Sequence, residues 1–295
     1  MTNQAQSRAE PRTPSIAAVI VYFRTPGPLA SCIRALRRQT HALEEVMVVD
    51  NSSRIDGSDA PPVPADGWRW EPMPANVGFA AACNAGARLT RSDHVLILNA
   101  DTELGPDACA RLLEVMQGDP CRAVVGPRIY DVSGQVELSA REFPSLKTGL
   151  LGRSSLATRL LRRTGAVPAG VAMALSEAPH AVDWVSGACM LIRRSSYELV
   201  GGFDEGYWMY WEDADLCRRL AQRGLSTWFM PAAAAHHRTG SSGRSPATVR
   251  AFHASAARYL DRHLARGPAT RALGHLVLAT RCRLVLVAQR RRGTR

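Results

Sequence analysis

Short, continuous apolar runs separated by helix-spaced segments constrain this chain more than any other feature. Residues 16–23 (IAAVIVYF), 45–49 (EVMVV), 94–98 (HVLIL) and 123–126 (AVVG) are rich in branched aliphatic residues and too short for core helices. Such runs fit strands covered on both faces. Pro26, Gly27 and Pro28 make a turn, after which Leu29, Cys32, Ile33 and Leu36 recur at helical spacing, with Gln39 near the helix end. Asp50, Asn51, Ser52 and Ser53 stop the second strand. A loop over 54–67, rich in Pro, Asp and Gly, leads to a short third strand at 68–71. Asn76, Val77, Gly78 and Phe79 open a small-residue helix running through Asn84 and Gly86 to Leu89. Pro106 opens another helix, with Leu112, Leu113 and Met116 on one face. This β-α-β-α alternation over the first 130 residues predicts an α/β fold, a mostly parallel nucleotide-binding sheet flanked by helices. No G-x-G-x-x-G follows the first strand, which argues against a dinucleotide-dependent dehydrogenase.

Beyond Ile129 the pattern changes. Residues 131–134 (DVSG) read as a hairpin turn, and 144–181 as an irregular insert. Within it the stretch 145–163 carries five positive charges and no acid. Residues 182–192 (VDWVSGACMLI) form a mixed strand region and 225–230 a final strand. A helix over 211–223 has its acids in the first turn and Arg218, Arg219 and Arg223 in the last, as the helix dipole favours, and Gly224 ends it. From Ser245 the chain reads helical. In 271–292 a stripe of Leu273, Leu276, Val277, Thr280, Leu284, Val287 and Ala288 is bordered by Arg281 and Arg283, with Leu278, Val285 and Leu286 off it.

With 295 residues, 46% of them hydrophobic, the chain is neither disordered nor a small disulfide scaffold. No uninterrupted apolar run reaches the roughly 20 residues of a bilayer span. Residues 1–15 are polar, lack the apolar core of a secretory signal and read as disordered. Seven cysteines without a C-x-x-C pair point to reduced thiols and a cytoplasmic location. The net charge of +11 resides entirely in the last 55 residues, where twelve arginines face only Asp261. A neutral body with a basic tail fits attraction to an anionic membrane surface. Packing of the tail on the body is the alternative. Phe252 and Tyr259 are too few for base stacking, so nucleic acid is not expected as a partner.

Polar and acidic residues recur at the carboxyl ends of the strands, where open α/β sheets bind ligands. Asp50 follows one strand, and Asn99 and Asp101 another. Asp101 with Glu103 offers hard oxygen ligands suited to Mg²⁺ or Mn²⁺ beside a diphosphate. Capping of the helix near Pro106 is the plainer role for Asp101. Glu212, Asp213 and Asp215 cluster at a helix start behind Tyr207, Trp208, Tyr210 and Trp211. Glu212 and Asp213 are adjacent and cannot share a helix face, so they are expected to act differently, one accepting a proton. His236 and His237 could meet a metal or diphosphate, or be a solvated pair. No H-E-x-x-H or G-x-S-x-G is present.

Taken together, the segments VIVYFRTPGPLASCIRAL, VVDNSS, NVGFAAACNAG, LILNADTEL, DWVSGACMLIRRSSYELVGGFDEGYWMYWEDADLCRRLAQRG and HHRTGSSG resemble the family-2 inverting glycosyltransferases of GT-A fold, in their rhamnosyltransferase-like branch. The resemblance implies a catalytic domain over 16–243, with a nucleotide-sugar half (16–130) and an acceptor half (131–243), followed by a helical basic extension (244–295). It implies that Val21, Tyr22 and Asp50 line the base and ribose site, and that Asn76, Gly78 and Asn84 lie close to the nucleotide sugar. Asn99, Ala100 and Asp101 stand at the D-x-D metal motif with Asn in the first place. Asp101 is therefore the surer metal ligand, and Asn99 contacts ribose or sugar. His236 or His237 would approach the metal or diphosphate, with Arg238 nearby. Trp184, Ser186, Gly187 and Trp211 would border the acceptor. Asp213 would be the base and Glu212 would position the acceptor.

The implied reaction is a single displacement. An acceptor hydroxyl gives its proton to Asp213 and attacks the anomeric carbon, the diphosphate leaves beside Mg²⁺ or Mn²⁺, and the configuration inverts. The favoured donor is dTDP-L-rhamnose and the favoured acceptor a polyprenyl-diphosphate-linked sugar, at the inner face of the cell membrane. Galactofuranosyl and other hexosyl transferases share these motifs, and a noncatalytic nucleotide-sugar-binding module is a more distant alternative. Homo-oligomerisation is left open.

Overall fold

The computed structural model describes residues 13–52, 68–145, 176–238 and 245–293. The loop 54–67, nearly all of the N-terminal stretch 1–15, and most of the insert 144–181 with its basic stretch lie outside the described residues.

The apolar runs become strands β1 (Ile16–Tyr22), β2 (Glu45–Asp50) and β4 (His94–Asn99), joined by β3 (Trp68–Pro72) in the parallel order β3-β2-β1-β4. Successive side chains of a strand point to opposite faces. Ile16, Ala18, Ile20 and Tyr22 accordingly join a core with Leu29, Cys32, Ile33 and Leu36 of helix α1 (Pro26–Leu36). Val19 and Val21 meet the opposite core, built on helix α2 (Phe79–Arg88). Both faces are apolar, which is why these strands read as unbroken runs.

Beyond β4 the chain adds β5 (Thr102–Leu104), helix α3 (Ala108–Gln117) and β6 (Arg122–Tyr130). The expected turn at 131–134 closes with Gly134 N–H donating to the Asp131 carbonyl at 2.9 Å. Strands β7 (Ala140–Arg141) and β9 (Trp184–Val185) pair in a small separate ladder, and β8 (His180–Val182) joins the main sheet. The main sheet continues β4-β10-β6-β11-β5, with β10 (Cys189–Arg193) antiparallel to both its neighbours. Helices α4 (Arg194–Leu199) and α5 (Glu212–Ala221) precede the last strand.

That strand, β11, runs from Ser226 to His237, well past the expected 225–230. An irregularity between Met230 and Ala234 accommodates Pro231, after which pairing to β6 resumes and pairing to β5 begins, His236 opposite Glu103 and His237 opposite Thr102. The two histidines therefore lie within a strand rather than after it.

The C-terminal extension is helical, as expected. Helix α6 (Pro246–Tyr259) starts at Ser245, whose hydroxyl accepts the Thr248 N–H at 3.1 Å. A π-helical turn (Leu260–Leu264) follows, then helix α7 (Pro268–Gly293). Helix α7 packs on α6 and the π-turn, with Gly274 closely against Leu260. Leu273, Leu276, Leu284 and Val287 point away and are exposed. Leu278, Cys282, Val285 and Leu286 on the other side are half-buried. Packing and a free apolar surface are thus found on opposite sides of one helix. By length and composition alone, α7 is also long and apolar enough to cross a membrane. A search for an uninterrupted run misses this because Arg281 and Arg283 lie inside it.

Candidate active site

The carboxyl ends of β1, β2 and β4 lie side by side, with Tyr22 opposite Asp50 and Val21 opposite Asn99. Asp50 is buried, and its Oδ1 accepts the Ser52 N–H at 2.9 Å and the Ser52 hydroxyl at 2.5 Å, closing a tight turn at the strand end. Asn51 was not singled out by the sequence, yet it organises this edge. Its amide donates to Asn76 Oδ1 at 3.0 Å and to the Gly78 carbonyl at 3.2 Å, and its Oδ1 accepts the Val77 N–H at 2.9 Å. Gly78 has φ +89°, and a Cβ there would stand 2.4 Å from the Trp208 carbonyl oxygen. No other residue type fits this approach, in which the Phe79 N–H donates to the same carbonyl at 2.7 Å. Asn76 and Gly78 thus belong to a loop tied both to the strand edge and to the aromatic segment before α5.

Two expectations for this edge are corrected. Tyr22 turns its ring into the core, 5.5 Å from the Trp70 ring, because it occupies the α1-facing parity of β1. Val21, partly exposed, points to the opposite face of β1 and packs on the α2-side core. Asn84 is buried inside α2 and serves as a tie. It accepts the Tyr197 hydroxyl at 2.5 Å and the Phe203 N–H at 2.9 Å, and donates to the Phe203 carbonyl and to Glu205.

The second feature is a turn between β4 and β5. His237 Nε2 lies 3.2 Å from Asp101 Oδ1 and 3.3 Å from Asn99 Nδ2, and Glu137 Oε2 is 3.5 Å from His237 Nδ1. Burial alone would lower the imidazole pKa, but hydrogen bonds and charge from Asp101 and Glu137 push it up to about 9. His236 projects to the opposite face and stacks on Tyr130 with 5.3 Å between ring centres, so only His237 meets Asp101. Period-two alternation in β11 makes that choice. The Arg238 N–H donates to the Asp101 carbonyl at 2.9 Å, while its guanidinium pairs with Glu103. The capping alternative for Asp101 fails, because α3 begins at Ala108 behind Asp107.

The oxygen–nitrogen separation of Asp101 and His237 matches the ~3 Å edge between adjacent ligands of an octahedral ion at about 2.1 Å. A carboxylate and a neutral imidazole suit Mn²⁺, so an ion held by both would have to displace the proton that the raised pKa keeps on His237, whereas a carboxylate with phosphate oxygens suits Mg²⁺. Among the described residues no group of three or more His, Cys, Asp or Glu could hold a metal. An ion here would therefore take its remaining ligands from a diphosphate and water.

The third feature is the start of α5. Glu212 and Asp215 are buried, whereas Asp213 is partly exposed. Asp213 Oδ2 accepts the Gly187 N–H at 3.0 Å and Oδ1 accepts the Ala214 N–H at 2.8 Å. Burial raises its pKa, and these bonds and the Arg141 charge oppose that rise without cancelling it. Burial and the neighbouring Asp213 push the Glu212 carboxyl pKa up, well above its ordinary value. Its Oε2 is buried and makes no hydrogen bond among the described residues. Asp215 behaves oppositely. Burial would raise it, but His263 and Arg219 hold it below the ordinary value.

A single dipeptide connects the two acidic features. Gly187 donates to Asp213, while the next carbonyl, that of Ala188, accepts the Asn99 N–H at 3.1 Å and the Thr102 hydroxyl at 3.3 Å. Asp101 and Asp213, 112 positions apart in sequence, therefore flank the same turn. Of the residues expected at the acceptor, Ser186 N–H donates to the Ser139 carbonyl, and Trp184, partly exposed, donates its indole N–H to the Glu142 carbonyl at 2.9 Å under the Arg141 guanidinium. Trp211 departs from its expected place. Its indole packs against Tyr259 and Phe252 of α6, with ring centres 5.2 and 5.8 Å away.

A strand edge, the Asp101–His237 pair and a partly exposed carboxylate of raised pKa are thus linked through one turn. Residues 17–200 match the family described as Glycosyl transferase family 2, and residues 169–240 match that described as N-terminal domain of galactosyltransferase. An N-acetylglucosaminyl-diphospho-decaprenol L-rhamnosyltransferase of Mycobacterium tuberculosis is 34% identical over 263 residues, 84% of this chain and 85% of the relative. Rhamnosyltransferase WbbL of Escherichia coli is 47% identical over 64 residues, 22% of this chain and 24% of the relative. Among solved structures, GalNAc-T7 with UDP, GalNAc and Mn²⁺ has a TM-score of 0.63 at 16% identity, covering 85% of this chain and 48% of that one. Mannosyltransferase PcManGT of Pyrobaculum calidifontis, with GDP-Man and Mn²⁺, has a TM-score of 0.57 at 15% identity, covering 96% and 81%. These two show the GT-A fold. By its sequence match over most of the catalytic body, and by its fold, the chain belongs to glycosyl transferase family 2 and is a glycosyltransferase.

Proposed function

We propose that this enzyme transfers L-rhamnose from dTDP-L-rhamnose to a hydroxyl of a polyprenyl-diphosphate-linked N-acetylglucosamine, with inversion at the anomeric carbon. The likeness to the mycobacterial rhamnosyltransferase over most of both chains supports the substrates. The observation that carries the chemistry is the Gly187-Ala188 turn, which holds Asp213 on one side and the Asn99–Asp101 turn on the other.

Asp213 accepts the proton of the attacking hydroxyl. Two backbone N–H groups fix its carboxylate, and its raised pKa makes it a better base than an ordinary aspartate. Glu212, buried beside Asp213, positions the acceptor, and its raised pKa favours the protonated form more than in an ordinary glutamate. Val21, Asp50, Asn76 and Gly78 form the edge that receives the nucleotide. Asp101 and His237 would hold a divalent cation, Mg²⁺ or Mn²⁺, whose chemistry is to neutralise charge on the leaving diphosphate.

The protein acts at the cytoplasmic face of the membrane, as a peripheral enzyme. Helix α7 supports this reading with its exposed leucines and its arginines, since each basic residue near an anionic surface contributes about 1 kcal/mol. Flotation with anionic vesicles, absent with neutral ones, is the expected result. Failure to float with either removes the membrane assignment alone.

The substrate assignment is tested by presenting dTDP-L-rhamnose, UDP-galactofuranose, and UDP- and GDP-hexoses with polyprenyl-diphosphate N-acetylglucosamine and Mg²⁺ or Mn²⁺. Product and dTDP are expected from the first donor only. Transfer of a hexose from another donor would replace the rhamnosyl assignment with the galactofuranosyl or hexosyl one.

A further inference from the structure

The C-terminal extension reaches the catalytic helix by a route that substrate binding does not require. Asp215, fully buried two residues after Asp213, has His263 Nε2 2.7 Å from its Oδ1, with the Tyr207 hydroxyl at 3.3 Å and Arg262 Nε at 3.5 Å. Its Oδ2 takes Arg219 Nε at 2.7 Å. Arg219 in turn donates to the carbonyls of Val200 and Gly202. His263 lies in the π-helical turn, one turn beyond Tyr259 and with its ring 4.7 Å from the tyrosine ring. Tyr259 seats Trp211, the residue immediately before Glu212. Short π-helical segments are frequent at functional sites.

The segment under this clamp is strained. Tyr210 and Trp211 both adopt left-handed backbone, φ +69° and +70°, in which bulky residues are rarely found. Trp211 is the residue from which α5 starts, so its backbone sets the direction of the first turn that carries Asp213. The extension grips this segment at several points. Phe252 packs against both Tyr210 and Trp211, Ser255 donates to the Met209 carbonyl at 2.8 Å, and Arg258 and Arg262 pair with Asp204.

We infer that His263 is a positioning residue for the transfer reaction, holding Asp215 so that the left-handed Tyr210-Trp211 turn aims Asp213 at the acceptor. The inference rests on Asp213 being the base. It assigns the C-terminal extension to the chemical step, apart from any part it has at a lipid surface. His263 touches neither Asp50 nor Asn51, and its route to Asn76 and Gly78 runs only through the Trp208 segment, so nucleotide affinity is expected to change far less than turnover.

Two variants of the full chain test it, with the donor that the wild type turns over. His263→Leu keeps bulk and removes the hydrogen bond, whereas His263→Gln keeps an N–H near the position of Nε2. In His263→Leu, kcat is expected to fall about tenfold or more, the scale on which small misplacements act. Nucleotide affinity and the number of titrated nucleotide sites stay within about twofold. His263→Gln is expected to recover most of kcat. The inference is overturned if His263→Leu keeps wild-type kcat, if kcat falls only in step with the number of nucleotide sites, or if His263→Leu has no such sites, which would make His263 a folding residue. Asp213→Asn, assayed beside them, separates the two readings. An active Asp213→Asn refutes the base assignment. An inactive Asp213→Asn beside a fully active His263→Leu refutes only the clamp.

Discussion

The two acidic features of the cleft are built in opposite ways. At the strand end, Asp101 and His237 are partly exposed and are held by each other, Asn99 and Glu137. At the helix start, Glu212 and Asp215 are buried and Asp213 is fixed by backbone N–H groups, while the surrounding residues come from α4, the aromatic segment and the C-terminal extension. The first site is completed by its ligand. The second is completed by the protein before any substrate arrives, as suits a group that must receive a proton in a fixed direction. Loss of a strand-end side chain should therefore change affinities, whereas loss at the helix start should change turnover or folding.

The largest effect is expected from Asp213→Asn. Removing a positioned base lowers kcat by about 10²- to 10⁴-fold, while calorimetry should find nucleotide affinity little changed. A parallel loss of binding would mean that the two features are one. Because burial raises the Asp213 pKa and the base must be ionised, wild-type kcat should fall as pH drops through a value above the ordinary aspartate range. A kcat profile flat down to that range would contradict it.

Next comes Asp215→Leu. It leaves Arg219 and His263 without their buried partner, and breaking a buried pair costs about 3–5 kcal/mol. A large drop in melting temperature is expected, and an unchanged one would show that the clamp carries no stability.

At the strand end, His237→Ala should raise the Mn²⁺ concentration for half-maximal activity by roughly 10- to 100-fold, the scale of a lost metal-site partner, with kcat at saturating Mn²⁺ less affected. His236→Ala, on the other face of β11, should change it by less than about twofold. Reversed results would exchange the histidines. Equal results would remove both from the ion site.

The fold was largely legible because residues buried on both faces of a sheet leave unbroken apolar runs. The same property hid which side chain faces the site. In β1 both parities are apolar, so nothing in the sequence distinguishes Val21 from Tyr22. In β11 the strand outlasts its apolar core by several small residues and Pro231, so the histidines read as a loop and their alternation was lost. The positions of Asp101, Glu212 and Asp213, as distinct from their roles, were conspicuous because acids at a strand end or helix start stand out against their surroundings. Asn51, Asn84 and His263 were not, because each works through a partner distant in sequence. Trp211 read as an acceptor residue from its neighbours, but the contacts that claim it lie on α6, some 40 to 50 positions later.

The central claim is that Asp101 and Asp213 face each other across one bound donor. A crystal structure of Asp213→Asn with intact dTDP-L-rhamnose and Mn²⁺ tests it most directly. The ion should lie between Asp101 and His237, and the anomeric carbon should face residue 213 with space between them for a hydroxyl. An ion bound elsewhere, or a sugar turned away from residue 213, would contradict the account.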